Sequence, residues 1–222
     1  MLIRRHILLG LGAALVPGLA GASNSKVAID VDITNAPQLA VWAGQLRTMM
    51  IGWWPVITAA LASPGYEAPE TLKVIFRDIR PANIGVFADG DTIVVNLTDI
   101  ETHPSDYGRV AFAMARIVQA YPAPNISWLG SGIADYLRYY VLLPEDLARR
   151  FDPSRVTYQV GFQPAAALLD WVERTYGAGS VRRINAAMRQ GGDGEAELLR
   201  ITGETPLALW RAFVATLDLA PG

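Results

Sequence analysis

The chain has 222 residues, about half of them apolar and 18% charged, which suits a folded domain with a substantial core and excludes a disordered polymer. It contains no cysteine, so disulfide staples and thiolate metal sites are ruled out, and with only two histidines a metal would depend on few nitrogen or oxygen donors. A formal charge of −2 gives no basis for a nucleic-acid or anionic-membrane partner.

Residues 1–22 read as an export signal. Arg4 and Arg5 precede an apolar run from Ile7 to Leu19, and Ala20-Gly21-Ala22 forms an A-x-A cleavage site. The arginines followed by His6-Ile7-Leu8 also resemble a twin-arginine signal, and ordinary Sec signals often begin the same way, so both routes stay open. The leader holds two arginines and no acid, so its removal takes the formal charge from −2 to −4 and leaves His103 as the only imidazole. The run is short for a bilayer span, and no later stretch stays apolar for about 20 residues. The expected mature product, 23–222, is therefore a single exported domain, periplasmic or secreted, without stable membrane insertion.

Val27 to Ile33 predicts a strand. Leu39, Trp42, Leu46, Met49, Met50, Trp53, Ile57 and Leu61 recur at steps of three and four, the spacing of one long helix that Pro55 should kink or split. Leu72 to Phe76 and Thr92 to Leu97 predict two further strands, the second preceded by a turn at Asp89-Gly90-Asp91. From Ser105 the pattern is helical almost to the end. One stripe, Phe162, Ala165, Ala166, Leu169 and Val172, stops near Gly177, and another, Val181, Ile184 and Met188, ends at Gly191-Gly192. Thr205-Pro206 supplies a cap and first turn for a last helix carrying Leu207, Trp210, Val214 and Leu217. With no internal repeat or linker, the expected class is α+β, a small N-terminal sheet with a long helix followed by a mostly helical C-terminal half.

In the central helix, Val110, Ala113, Met114, Ile117, Val118 and Tyr121 form a core-facing stripe that Ser105 or Asp106 can cap, with Phe112 and Arg116 one turn apart beside it. The segment Trp128-Leu129-Gly130-Ser131-Gly132-Ile133-Ala134-Asp135-Tyr136-Leu137-Arg138 resembles the WLxEGIADYxR segment of the basic secretory protein family of plants and bacteria, which are zincin-type peptidases. The resemblance extends to Asn35-Ala36-Pro37-Gln38-Leu39, Trp42, Pro104, Asp106, Gln119, Gly161-Phe162 and Leu168-Leu169-Asp170-Trp171.

The resemblance implies a zincin-like fold, with the former active-site helix in the C-terminal half. It also implies a set of emptied positions. Where the family carries the two histidines of HExxH, this chain has Phe112 and Arg116; where it carries the catalytic Glu, it has Ala113; and Ser131 stands at the Glu of EGIAD, the expected third ligand. Phe162 replaces a family Tyr. A catalytic zinc needs three protein ligands and an open position before its water falls to a pKa of about 7. Phe112 has no donor, and the Arg116 cation would repel a divalent ion by several kcal/mol at an effective dielectric of about 20. No metal and no other cofactor is expected, and the balance leans against an enzyme.

Other residues have plainer readings. His103, beside Pro104, reads as an exposed connector rather than a lone base, and Asp135 as an orienting group that could instead face the cleft. Arg116 either pairs with Asp135 or is solvated at the rim. Gly130-Ser131-Gly132 does not match G-x-S-x-G, which disfavours a Ser-His-Asp hydrolase. Asn96-Leu97-Thr98 and Asn125-Ile126-Ser127 match glycosylation acceptors, coincidentally in a chain with a bacterial-type leader. The expected function is an exported, catalytically inactive relative of the family that binds a peptide or cell-envelope polymer, with Gln119, Trp128, Asp135, Tyr136 and Phe162 as cleft residues. The alternative is an active hydrolase with a relocated site.

Overall fold

A computed structural model of the chain describes residues 26–80, 85–122, 127–144 and 151–218; the leader, 1–22, and Asn125 and Ile126 of the second acceptor triplet lie outside them. Four strands form a mixed sheet in the order β1-β2-β4-β3. β1 (Ala28–Asp32) runs parallel to β2 (Thr71–Arg77), and β2 parallel to β4 (Thr92–Asn96). β3 (Val86–Asp89) pairs antiparallel with β4 through a tight turn in which Gly90 takes φ +56°. β2 alternates in the manner of a strand with one face on the core, burying Leu72, Val74 and Phe76 and exposing Thr71, Lys73 and Arg77.

Parallel strands need a crossover, and α1 (Ala40–Ala60) supplies it between β1 and β2. Leu46, Met50, Trp53 and Ile57 lie on its buried face, as the spacing predicts, whereas Met49, which shares that spacing, is exposed and Trp54, which does not, is buried. Pro55 does not split the helix. The carbonyl that Pro55 leaves without a backbone donor is that of Ile51, four residues back, and both residues are exposed, so water can take the lost bond.

β4 ends earlier than the sequence suggests because Leu97 opens a short helix, α2 (Leu97–Thr102). Asn96 is fully buried at the junction. Its Oδ1 accepts from the backbone amides of Thr98 (3.3 Å) and Ile79 (3.2 Å), and its Nδ2 donates to the Ile79 carbonyl (3.1 Å). The acceptor-like triplet at 96 is thus a helix cap.

The rest of the described chain is helical: α3 (Gly108–Gln119), α4 (Trp128–Tyr136), α5 (Phe162–Tyr176), α6 (Ser180–Arg189), α7 (Gly194–Thr202) and α8 (Pro206–Asp218). α4 runs on into a wider π turn, Leu137–Leu142. Gly177 ends α5, and the Thr205 hydroxyl accepts from Ala208 at the start of α8, both as expected. The α+β class holds. α7 has no counterpart in the sequence reading; it is announced by Asp193, whose Oδ1 accepts from the amides of Glu195 and Ala196. α4 and α5 pack tightly, since a Cβ on Gly132 would come within 2.6 Å of the Ala165 side chain. No described helix is long and apolar enough to cross a membrane.

Candidate functional site

α3 turns Val110, Ala113, Met114, Ile117 and Val118 into the core, as its periodicity requires, which leaves Phe112 and Arg116 half-buried beside them. Its N-cap is Tyr107, without a side-chain capping bond, so neither Ser105 nor Asp106 fills that role. Asp106 is occupied elsewhere: it accepts from Arg138 Nη2 at 2.6 Å and from Arg109 Nε at 3.0 Å. Arg109 Nη1 also reaches Asp99 Oδ1 at 2.5 Å, and His103 Nδ1, on a half-exposed ring, stands 3.3 Å from the same oxygen.

Two glycines admit this ion network. A Cβ at Gly108 would lie 2.6 Å from Arg138 Nε, and one at Gly85 would lie 2.8 Å from Arg109 Nη1. Burial alone would raise the Asp106 pKa, but the charges of Arg138 and Arg109 outweigh it and hold the carboxyl below its ordinary value.

The network backs a cavity of about 360 Å³. α3 contributes Arg109 and Phe112, α4 and its π turn contribute Asp135, Arg138 and Tyr139, α5 contributes Phe162 and Gln163, and the start of β3 closes one side. A π turn carries an extra residue in the coil and is frequent at functional sites. Asp135 is 5% exposed, and its Oδ1 has no hydrogen-bond partner among the described residues. Burial raises its pKa to about 7; the nearby Arg138 works against this shift and Asp106 adds to it.

Phe112 and Phe162 stack across the mouth with ring centroids 6.0 Å apart. Phe162 is 56% exposed and takes φ +53°, a left-handed conformation that is costly for a bulky side chain. Its amide donates to Ser131 Oγ at 3.2 Å, and that hydroxyl donates in turn to the Trp128 carbonyl at 3.4 Å.

Phe112, Asp135 and Phe162 therefore share one cavity, and Ser131 touches it through Phe162. The remaining residues taken from the sequence lie outside its lining. Arg116 donates to Gln119 Oε1 at 2.6 Å, and Gln119 donates to the Gly130 carbonyl at 2.8 Å. The charges acting on Asp135 are those of Arg138 and Asp106 rather than Arg116. Trp128 is buried edge-on to Tyr158 and donates to Glu195 Oε1 at 2.6 Å, two helical turns from Asp135. Tyr136 stacks on Tyr140, because neighbouring helical residues point about 100° apart. Arg109, Arg138 and Gln163, which the structure adds, carried one local signal: Arg109 and Arg138 each follow an acid, Asp106 and Asp135, at helical i+3 spacing.

Residues 97–213, more than half of the chain, match the family model BSP, described as a peptidase of plants and bacteria. The chain belongs to this family. No curated protein and no solved structure matches it. The BSP match begins at α2 and ends within α8, so it includes the three helices that wall the cavity and leaves out the sheet and α1.

The zinc implied by the resemblance to zincin-type peptidases does not fit the residues standing at the expected positions. Phe112 and Ala113 offer no donor, Arg116 brings a cation, and the Ser131 hydroxyl is engaged with backbone on both sides. Among the described residues no three His, Cys, Asp or Glu side chains come together in a way that could hold a metal ion.

Proposed function

We propose that this member of the BSP family is exported by its leader, 1–22, as a single mature domain, 23–222, and binds a peptide or cell-envelope polymer without hydrolysing it. The observation that carries the reading is the chemistry at one helix face. By the resemblance, Phe112 and Arg116 stand at the i, i+4 pair at which a zincin aims two imidazoles, and Ala113 at the general-base position. The cavity that Phe112 lines supports retention of a ligand: it is an open cleft walled by three helices and the start of β3, and it combines an aromatic pair with buried polar groups.

Elemental analysis of the mature protein, with a peptidase assay run with and without chelator, tests the loss of hydrolysis. The expected result is no stoichiometric metal and no cleavage; bound zinc with chelator-sensitive cleavage refutes the reading. Titration with peptide and glycan libraries tests the binding role, and sequencing the exported protein for an N-terminus after Ala22 tests the route.

A second reading, a hydrolase with a relocated site, is favoured by one feature. Asp135 is a buried carboxyl with a pKa raised to about 7 inside a cavity, a pattern common among general acids and bases. Chelator-resistant hydrolysis abolished by Asp135→Asn would establish it.

A further inference from the structure

The cavity wall holds two polar atoms that the fold leaves unanswered on neighbouring helices. Asp135 Oδ1 on α4 lacks a partner, and so does Gln163 Nε2 at the start of α5. A third such atom, Arg138 Nε, lies against Gly108, where a Cβ would sit 2.6 Å away. Beside that atom, one acceptor and one donor remain in a wall shared with Phe112, Phe162 and Tyr139 and with the ion-paired Arg109 and Arg138.

Buried polar groups without partners cost free energy, and the native remedy is a matched group from water or a ligand. A peptide unit carries the complementary pair, one N–H and one carbonyl. Formal charge points to a neutral guest. Arg109 and Arg138 are already balanced by Asp99 and Asp106, and with its pKa near 7 Asp135 is largely uncharged in mildly acidic solution. A chain terminus or a charged side chain would find no free counter-ion here. A saccharide hydroxyl could answer either atom singly, without the fixed donor-and-acceptor pair of a peptide unit.

We propose that this cavity is a recognition site for an internal, uncharged peptide unit next to an apolar side chain, with the N–H donated to Asp135, the carbonyl accepting from Gln163, and the side chain resting against Phe112 and Phe162. The assignment rests on the binding role proposed above and deepens it by naming the ligand's chemistry and the residues that read it.

The test is calorimetric titration of the full mature chain with a blocked peptide, acetyl-Ala-Leu-Ala methylamide. Its backbone N-methylated analogue, the unblocked tripeptide and a trimer of N-acetylglucosamine serve as the other arms. The expected result is saturable binding of the blocked peptide, weaker by about tenfold for the N-methylated analogue and for the protein variants Asp135→Leu and Gln163→Leu. Gln163 is only half-buried, so Gln163→Leu carries the test if Asp135→Leu does not fold. Absence of saturable peptide binding, equal affinity for the N-methylated analogue, unchanged affinity in Gln163→Leu, or preference for the sugar trimer overturns the assignment. Sugar binding without cleavage would leave the non-hydrolytic role standing, whereas peptide binding followed by cleavage would end that role and keep this site.

Discussion

Ser131 holds the first residue of α5: its hydroxyl accepts the backbone amide of Phe162 at 3.2 Å, while the chain at Phe162 is in the left-handed region. A hydroxyl at this position therefore acts as a helix-start acceptor supplied from a neighbouring helix, and it fixes where the exposed Phe162 ring meets Phe112. Ser131→Ala is expected to lower stability by about 1 kcal/mol, read as a shift in the urea midpoint at constant slope. An unchanged midpoint would show that this bond contributes nothing.

Gly161 should be much less tolerant. It has φ +72°, and a Cβ there would run into Ser131 Oγ, so Gly161→Ala combines backbone strain with a collision. A loss of roughly 2 kcal/mol or more is expected. Because part of that loss is a clash with one oxygen, Ser131→Ala should recover some of it, giving non-additive denaturation energies in the double variant. Strict additivity would mean that the two residues do not meet.

Asp135 predicts an unusual pH dependence. Its folded pKa of about 7 lies above the ordinary carboxyl value of 3.8, so between these values the folded state binds more protons than the unfolded state. The unfolding free energy then decreases as pH rises through this window and levels above it, by a few kcal/mol in total at order of magnitude. Thermal melts of the wild type should fall from about pH 5 to about pH 8, and Asp135→Asn should flatten that slope. A wild type that gains stability over the same range contradicts the burial argument.

Asp106 has the opposite sign. Its pKa is held below the ordinary value, so its contribution is present at neutral pH and is lost as pH falls through the folded pKa. Breaking its pairs with Arg138 and Arg109 by Asp106→Asn leaves two guanidiniums short of a partner, at a cost of about 3 kcal/mol. Chemical denaturation at neutral pH measures it, and a loss below about 1 kcal/mol would class the network with surface ion pairs.

Metal affinity can be engineered back as a test of correspondence. If Phe112, Arg116 and Ser131 stand where ligands once stood, a variant with Phe112→His, Arg116→His and Ser131→Glu is expected to take up zinc one-to-one, against none for the wild type, by elemental analysis. A folded variant that stays metal-free would detach these positions from the zincin pattern.

The legible parts of this molecule are those in which one local pattern decides the outcome. The stripe from Val110 to Val118, the stop at Gly177 and the Thr205 cap each rest on local spacing or local backbone chemistry, and each is found. β3 and α2 escaped because four and six residues are too few to display a period, and both are specified by what they meet, β4 for the one and Asn96 for the other. α7, with nine residues, escaped although Asp193 stands at its start as a cap. Of the positions the resemblance named, Phe112, Asp135 and Phe162 line one cavity and Ser131 bonds to Phe162, whereas Ala113, Arg116 and Gln119 lie outside the lining. Arg109 showed only its i+3 spacing from Asp106, since its reach to Asp99 depends on Gly85, whose missing side chain leaves room for the guanidinium, and Gln163 carried no local signal. Trp128 and Tyr136 misled in the other direction: an aromatic beside a motif is drawn into whichever neighbour the helix angle presents.

The close approach of Gly132 to Ala165 bears on how anything enters the cavity. With no side chain separating them, α4 and α5 behave as one slab, so the floor at Asp135 and the lip at Phe162 travel together. The borders these two helices do not supply are α3, with Arg109 and Phe112, and the start of β3 at Val86, itself held by its pairing with β4.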